Sequence, residues 1–147
     1  MDRLKVVEME REMINECVDL FIQTFSKEPW NDVYESRNQV VTFFENHMGN
    51  NYFVGYVGLL DNKIIALSIG MKKPWIQGLE YYIDEFCVSS EQQGKGIGSN
   101  FLKLIESDIK KQNMNAIILN TEKEFPSKTF YVKNEFEILD DLVVLAK

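Results

Sequence analysis

Histidine is almost missing: His47 is the only one in 147 residues. That argues against a zinc centre built from Cys and His clusters. A Ser-His-Asp or Cys-His hydrolase would have to use His47. That residue lies in the helix-periodic stretch Val40-Val41-Thr42-Phe43-Phe44-Glu45-Asn46-His47-Met48 and reads as a helix-end or surface histidine. Cysteine is scarce too. Cys17 and Cys87 sit in apolar stretches and suggest no disulfide framework. No apolar run approaches the ~20 residues of a membrane span. The charged opening Met1-Asp2-Arg3-Leu4-Lys5 does not look like a signal peptide. A cytoplasmic protein with no membrane partner is the expectation. Low-complexity tracts, repeats and linkers are absent, so residues 1–147 read as one domain.

Positive charge is also short. The net charge is −7, and it is uneven. Residues 1–90 carry 8 basic and 14 acidic side chains, and residues 91–147 carry 8 and 9. A nucleic-acid binder would show the opposite sign and a basic stripe. An acidic first half favours a cationic partner, or simply keeps the protein soluble. What is present is ordinary globular composition, 45% apolar and 27% charged, enough for a core without staples.

Hydrophobic periodicity predicts a strand over 3–9 and a helix over 11–26, with Ile14, Cys17, Val18, Phe21 and Phe25 on one stripe. Asn31-Asp32 breaks the chain before a helix near 35–48. Strands over 52–60 and 63–72 are joined by the turn signal Asp61-Asn62, and Pro74 is expected to end the second. A strand over 79–88 leads through a glycine-rich turn into a helix over 97–112. The continuous apolar run Ala116-Ile117-Ile118-Leu119 suggests a strand buried on both faces. A short helix near 126–134 precedes strands near 136–147. The order predicts a mixed α/β sheet with helices on both faces, antiparallel early and parallel across 79–119.

The strongest chemical signal is Val88-Ser89-Ser90-Glu91-Gln92-Gln93-Gly94-Lys95-Gly96-Ile97-Gly98-Ser99. Glycines let the backbone turn tightly and approach a ligand. Free amides at a helix start, backed by the helix dipole, suit phosphate. The turn matches neither a Walker loop nor a dinucleotide fingerprint. On spacing alone it could equally be an ordinary tight turn.

Gln93-Gly94-Lys95-Gly96-Ile97-Gly98 resembles the Q/R-x-x-G-x-G/A signature of the GNAT superfamily of N-acetyltransferases. The resemblance covers nearly the whole chain, including the Tyr82-to-Val88 strand and the Pro126-to-Lys133 helix. It implies a seven-stranded, mostly antiparallel sheet with splayed parallel strands 4 and 5. It also implies acetyl-coenzyme A as donor and no metal. Phe86, Cys87 and Val88 are then expected along the pantetheine arm, and Gln93, Gly94, Lys95, Gly96, Ile97, Gly98 and Ser99 around the pyrophosphate. Asn120, Phe130 and Lys133 complete the expected cofactor set. Family members often carry an asparagine before the last helix, where this chain has Glu124 with Asn120 close by. They also end that helix in Gly-Phe, where this chain has Glu135-Phe136. Either Asn134 or Glu135 must then take the positive φ.

Acetyl transfer to an amine needs a base for the ammonium and an acid for the thiolate. The resemblance places the acid at Tyr131. Asp84 and Glu85, which interrupt an otherwise buried-looking strand, are the candidate bases. Neighbours on a regular strand face opposite sides, so one faces the cleft unless a bulge re-aims the other. The segment Lys73-to-Val88 also resembles diamine acetyltransferases, in which the first acid is the proposed base; the aminoglycoside 6′-acetylating branch is similar here. Glu28, Trp30, Tyr34, Trp75 and Tyr81 are expected to form an acceptor wall with Asp32 and Glu80, from the first helices and a 73–80 loop. No activating histidine lies near Cys87 in sequence, so that thiol reads as packing rather than as a nucleophile. The expected partner is a small amine, and the family suggests a homodimer. The alternatives are acetylation of a protein N-terminus or lysine, or a non-catalytic acyl-CoA sensor.

Overall fold

The computed structural model describes residues 3–147; Met1 and Asp2, at the head of the charged N-terminus, lie outside the described residues. Strand β1 (Lys5–Glu8) is followed by helices α1 (Ile14–Phe25) and α2 (Arg37–Met48). Strands β2 (Phe53–Leu60), β3 (Lys63–Trp75) and β4 (Gly78–Val88) come next. Helix α3 (Ile97–Lys111), strand β5 (Met114–Leu119) and helix α4 (Pro126–Lys133) complete the elements. The sheet order is β1-β2-β3-β4-β5, antiparallel throughout except for the parallel β4–β5 pair.

Local chemistry explains most boundaries. A short 3₁₀ turn at Arg11–Met13 leads into α1, which buries Cys17, Val18, Leu20, Phe21 and Phe25 on one stripe. The Ser36 side chain caps α2 by accepting from the Gln39 amide. Asp61 and Asn62, both at positive φ, turn β2 into β3, the conformation that two-residue hairpins favour. Pro74 does not end β3, contrary to expectation, and the strand runs on to Trp75. β2 pairs only as far as Met71, so no second strand asks for the amide that proline lacks.

Two apolar layers cover the sheet. One joins α1 and α2 to Val57, Ile64, Leu67, Ile69 and Cys87. The other joins Phe101, Ile105 and Ile109 of α3 to Tyr56, Ile65, Ala66, Tyr81, Ile83 and Val88. Each buried Leu, Ile or Phe contributes about 1.5–3 kcal/mol, so both layers are needed to hold the sheet.

Two expectations about the C-terminal part are corrected. Among the described residues five strands form, not seven, and residues 136–147 carry no strand. The apolar 116–119 run is only half-buried. Both follow from one fact: β5 is an edge strand, and the tail that would cover it does not pair with it. Ile138, Leu139, Leu142, Val143, Val144 and Leu145 are exposed, and an open cavity of about 1200 Å³ separates the tail from β5.

Candidate active site

The site is built where β4 loses its regularity. Ile69 of β3 pairs with Glu85, but the next residue, Gly70, pairs with Ile83, so Asp84 is an extra residue in a bulge. Gly70 is required here: a Cβ would overlap the Tyr82 carbonyl. The bulge changes which faces the side chains reach. Ile83 and Phe86, three residues apart, both join the α3 layer, while Cys87 joins the α1–α2 layer. Asp84 and Glu85 therefore share the α1–α2 side.

There Asp84 meets α2. His47 Nε2 lies 3.0 Å from Asp84 Oδ2, and Nδ1 lies 3.0 Å from the Phe43 carbonyl. Glu85 has a different environment. Burial, with Asp84 and Asp32 nearby, pushes its carboxyl up to about 7, and His47 opposes the rise. Tyr34 stands on the same wall, its hydroxyl donating to Asp32 at 3.4 Å. Burial chiefly, then Asp32, holds that phenol above its ordinary range.

Tyr131 approaches from α4 and is buried, at 9% exposure. Its ring packs edge-on against Phe86, Phe130 and Phe136. Burial chiefly, then Cys87 and Glu85, raises its pKa, so the phenol stays protonated at neutral pH. Among the described residues its hydroxyl has no hydrogen-bond partner. The helix end behind it is a Schellman motif: Phe136 N–H donates to the Tyr131 carbonyl and Glu135 N–H to the Val132 carbonyl. Glu135 takes the left-handed conformation at φ 74°, and Asn134 does not. The left-handed turn at Glu135, at a cost of about 1 kcal/mol, leads the chain back so that Phe136 packs on Tyr131.

The glycine-rich turn leads into the same region. A short 3₁₀ turn, Ser90–Gln92, follows β4, and Lys27 Nζ reaches Ser90 Oγ at 2.9 Å. Gln93 Nε2 donates to the Val88 carbonyl at 2.9 Å. Gly94 and Gly96 stand at φ 79° and 77°, where an L side chain is strained. No side chain caps α3, so the first-turn amides at Ile97, Gly98 and Ser99 remain available. A Cβ on Gly98 would crowd the Phe130 ring, so this glycine lets α4 pack on the start of α3. Lys95 is exposed beside the turn. Parallel pairing of β4 with β5 stops at Ile83–Leu119, leaving Asp84–Val88 with no strand on that side.

Other expected residues are dispersed. Trp30 packs edge-on against Phe25 and against Phe125, just before α4; Glu28 is exposed nearby. The 73–80 segment is a hairpin and not a loop: Trp75 pairs with Gly78, six residues before Asp84, about 20 Å along the strand. Trp75 donates to Asn115, and Glu80 is buried 3.8 Å from Lys73. Tyr81 is the clearest correction. It is fully buried, and its hydroxyl is used by Ser68 and the Val54 carbonyl, so it belongs to the core. Asn120 donates to the Tyr82 hydroxyl at 2.7 Å, and Lys133 is exposed on the last turn of α4. Cys87 is buried, and desolvation holds its thiol far above the ordinary range, which leaves no thiolate for nucleophilic attack. His47 is the residue that sequence reasoning missed. Nothing in its own helix announces a carboxylate 37 positions away.

The sequence profile of the acetyltransferase (GNAT) family matches residues 14–136. The chain belongs to this family. Solved structures agree in fold. A possible acetyltransferase from Clostridium difficile 630 superposes with a TM-score of 0.82 at 15% identity, covering 98% of this chain and 97% of that one. An aminoglycoside acetyltransferase from an uncultured soil metagenomic sample, solved with sisomicin, gives 0.75 at 16% identity, covering 98% and 95%. Aminoglycoside N-acetyltransferase AAC(6')-Iy, solved with CoA, gives 0.77 at 10% identity, covering 100% and 96%. Among the described residues of this GNAT protein, no group of three His, Cys, Asp or Glu is placed to hold a metal. No described helix is long and apolar enough to cross a membrane.

Proposed function

We propose that this GNAT protein is an acetyl-CoA-dependent N-acetyltransferase. Its acceptor is a primary amine of a small cationic molecule, polyamine-like or aminoglycoside-like. The observation that carries the reading is the pairing of Glu85, poised near neutrality, with a protonated Tyr131 close enough to sense its charge. A carboxyl near neutrality can take a proton and a phenol kept protonated can give one, and an amine acyl transfer needs both.

Acetyl-CoA supplies the thioester. The uncapped start of α3, with Gly94, Gly96 and Lys95 beside it, fits a pyrophosphate. The strand-free side of Asp84–Val88 leaves backbone groups for an extended pantetheine arm. Glu85 takes a proton from the acceptor ammonium, and the freed nitrogen pair forms the N–C bond. As the C–S bond breaks, Tyr131 gives its proton to the sulfur. With Cys87 unable to form a thiolate, attack is direct, in a ternary complex. Asp32, Asp84 and Glu85 on one wall, in a chain of net charge −7, favour a cation. Aminoglycoside-acetylating relatives share this fold, which makes such amines the first to try. Two free, buried thiols suit work in the reducing cytoplasm. We read the protein as a homodimer, on the strength of the open β5 edge and the uncovered apolar tail.

The test is a calorimetric titration with acetyl-CoA, followed by thiol release over a panel of polyamines, aminoglycosides and lysine peptides. Binding with turnover of one small cationic class is expected. Turnover of the peptides alone would move the acceptor to proteins. Binding with no turnover of any amine would turn the protein into a sensor. No binding would overturn the whole reading.

A further inference from the structure

Two carboxylates share one side of the β4 bulge, yet they are not equivalent. Of the two, only Asp84 has a side-chain partner that can carry positive charge. That partner projects from the last turn of α2, where the helix dipole favours a cation. The imidazole is held on three sides. Nδ1 faces the Phe43 carbonyl, which can only accept, so Nδ1 is a donor. Nε2 faces the Asp84 carboxylate at 3.0 Å, so the ring bridges the two acceptors, and the contact is an ion pair whenever the imidazole is protonated. The Phe43 ring packs edge-on at 4.6 Å. His47 is 19% exposed and Asp84 38%, so the pair is only partly screened by water.

We propose that His47 is a positioning residue: from the end of α2 it holds Asp84 of the bulge as its ion-pair partner, and so leaves Glu85 as the one acid of the pair that takes the acceptor's proton. The inference rests on reading Glu85 as the base, and it concerns a residue that does not itself touch the reacting atoms. It also reverses the assignment implied by resemblance to the diamine enzymes, where the first acid is the base.

The charges around Glu85 support this division. Asp84 on its own strand and Asp32 after α1 both raise its affinity for a proton, and His47 alone lowers it. Tyr34, Cys87 and Tyr131 also sense Glu85 and are protonated at neutral pH. His47 is thus the one group of this set whose positive charge, when it carries one, favours the deprotonated Glu85.

Carboxyl ¹³C NMR titration of Glu85 in the full chain tests the inference without requiring turnover. The proteins are the wild type, His47→Gln, which keeps an amide donor and removes the charge, and Asp84→Asn. His47→Gln should raise the Glu85 midpoint by about 0.5–1 pH unit, and Asp84→Asn should lower it by a similar amount. Shifts of opposite sign are a signature that general loosening of the fold cannot produce. The acidic limb of the kcat/KM profile should move with each midpoint. A Glu85 midpoint unchanged in His47→Gln, or moved the same way in both variants, overturns the proposal. A wild-type midpoint in the ordinary carboxylate range instead removes Glu85 as the base, and is read from a different sample.

Discussion

At the scale of single residues, Glu85 has two measurable consequences. Its carboxyl titrates near 7 in the folded chain, against an ordinary value of 4.5. With Glu85 as the proposed base, kcat/KM rises with pH with a midpoint near 7, and Glu85→Gln removes that limb and costs about 10²–10⁴-fold. Stability responds with the opposite sign. The folded state binds this proton more tightly than the unfolded chain does, so the contribution is complete below about pH 4.5 and is lost as pH rises through 7. Glu85→Gln should therefore match the wild type in stability at pH 4.5 and exceed it at pH 8 by up to about 3 kcal/mol, measured by urea unfolding. Tyr131→Phe removes only the hydroxyl that finds no protein partner, leaving the ring packing in place. It should lower kcat by about 10²-fold while leaving the dissociation constant of acetyl-CoA within about twofold, by calorimetry. The acid pair stood out in the sequence because two carboxylates interrupt an apolar strand, whereas Tyr131 was picked out only by resemblance to the family. The choice between the two acids was not legible, because the proposed one rests on His47, which arrives from another element.

Elements explain why some features could be read locally and others could not. Helices α1 and α3 carry their own period, so their inward stripes were evident. The glycine-rich turn carries its own conformational requirement, visible as glycine. A bulge has no such mark, because one extra residue in β4 is defined only against β3. Its one local trace is Gly70 on the opposite strand. Gly70→Ala should destabilise the protein by about 1–3 kcal/mol. It should also lower kcat/KM further than a core variant of equal stability loss, since the bulge aims both acids; thermal melts and kinetics on one preparation compare the two effects. The α4 terminus makes the converse case. Glu135 occupies a conformation that glycine accepts without strain, so Glu135→Gly should raise stability by about 0.5–1 kcal/mol, seen as a higher denaturant midpoint. Strands were expected near 136–147, but a strand exists only beside a partner, and among the described residues that partnership does not form.

For the whole molecule, the two ends of the sheet are unlike. β1 is four residues long, with Lys5 at its start and Glu8 at its end, a short charged border that discourages further pairing. β5 is apolar, bare along its outer side, and flanked by a tail of exposed Leu, Ile and Val. A sheet that can accept a neighbour at one end only cannot build a ladder. The proposed homodimer fits this asymmetry: a two-fold arrangement in which each copy offers the same border to the other closes as soon as it forms. Sedimentation velocity should accordingly give one species near 34 kDa, twice the 17.2 kDa chain, with no higher series as concentration rises. Removing residues 142–147 should shift it toward the single chain. In the proposed homodimer the blunt β1 border, which takes part in neither the contact nor the chemistry, is what stops assembly at two.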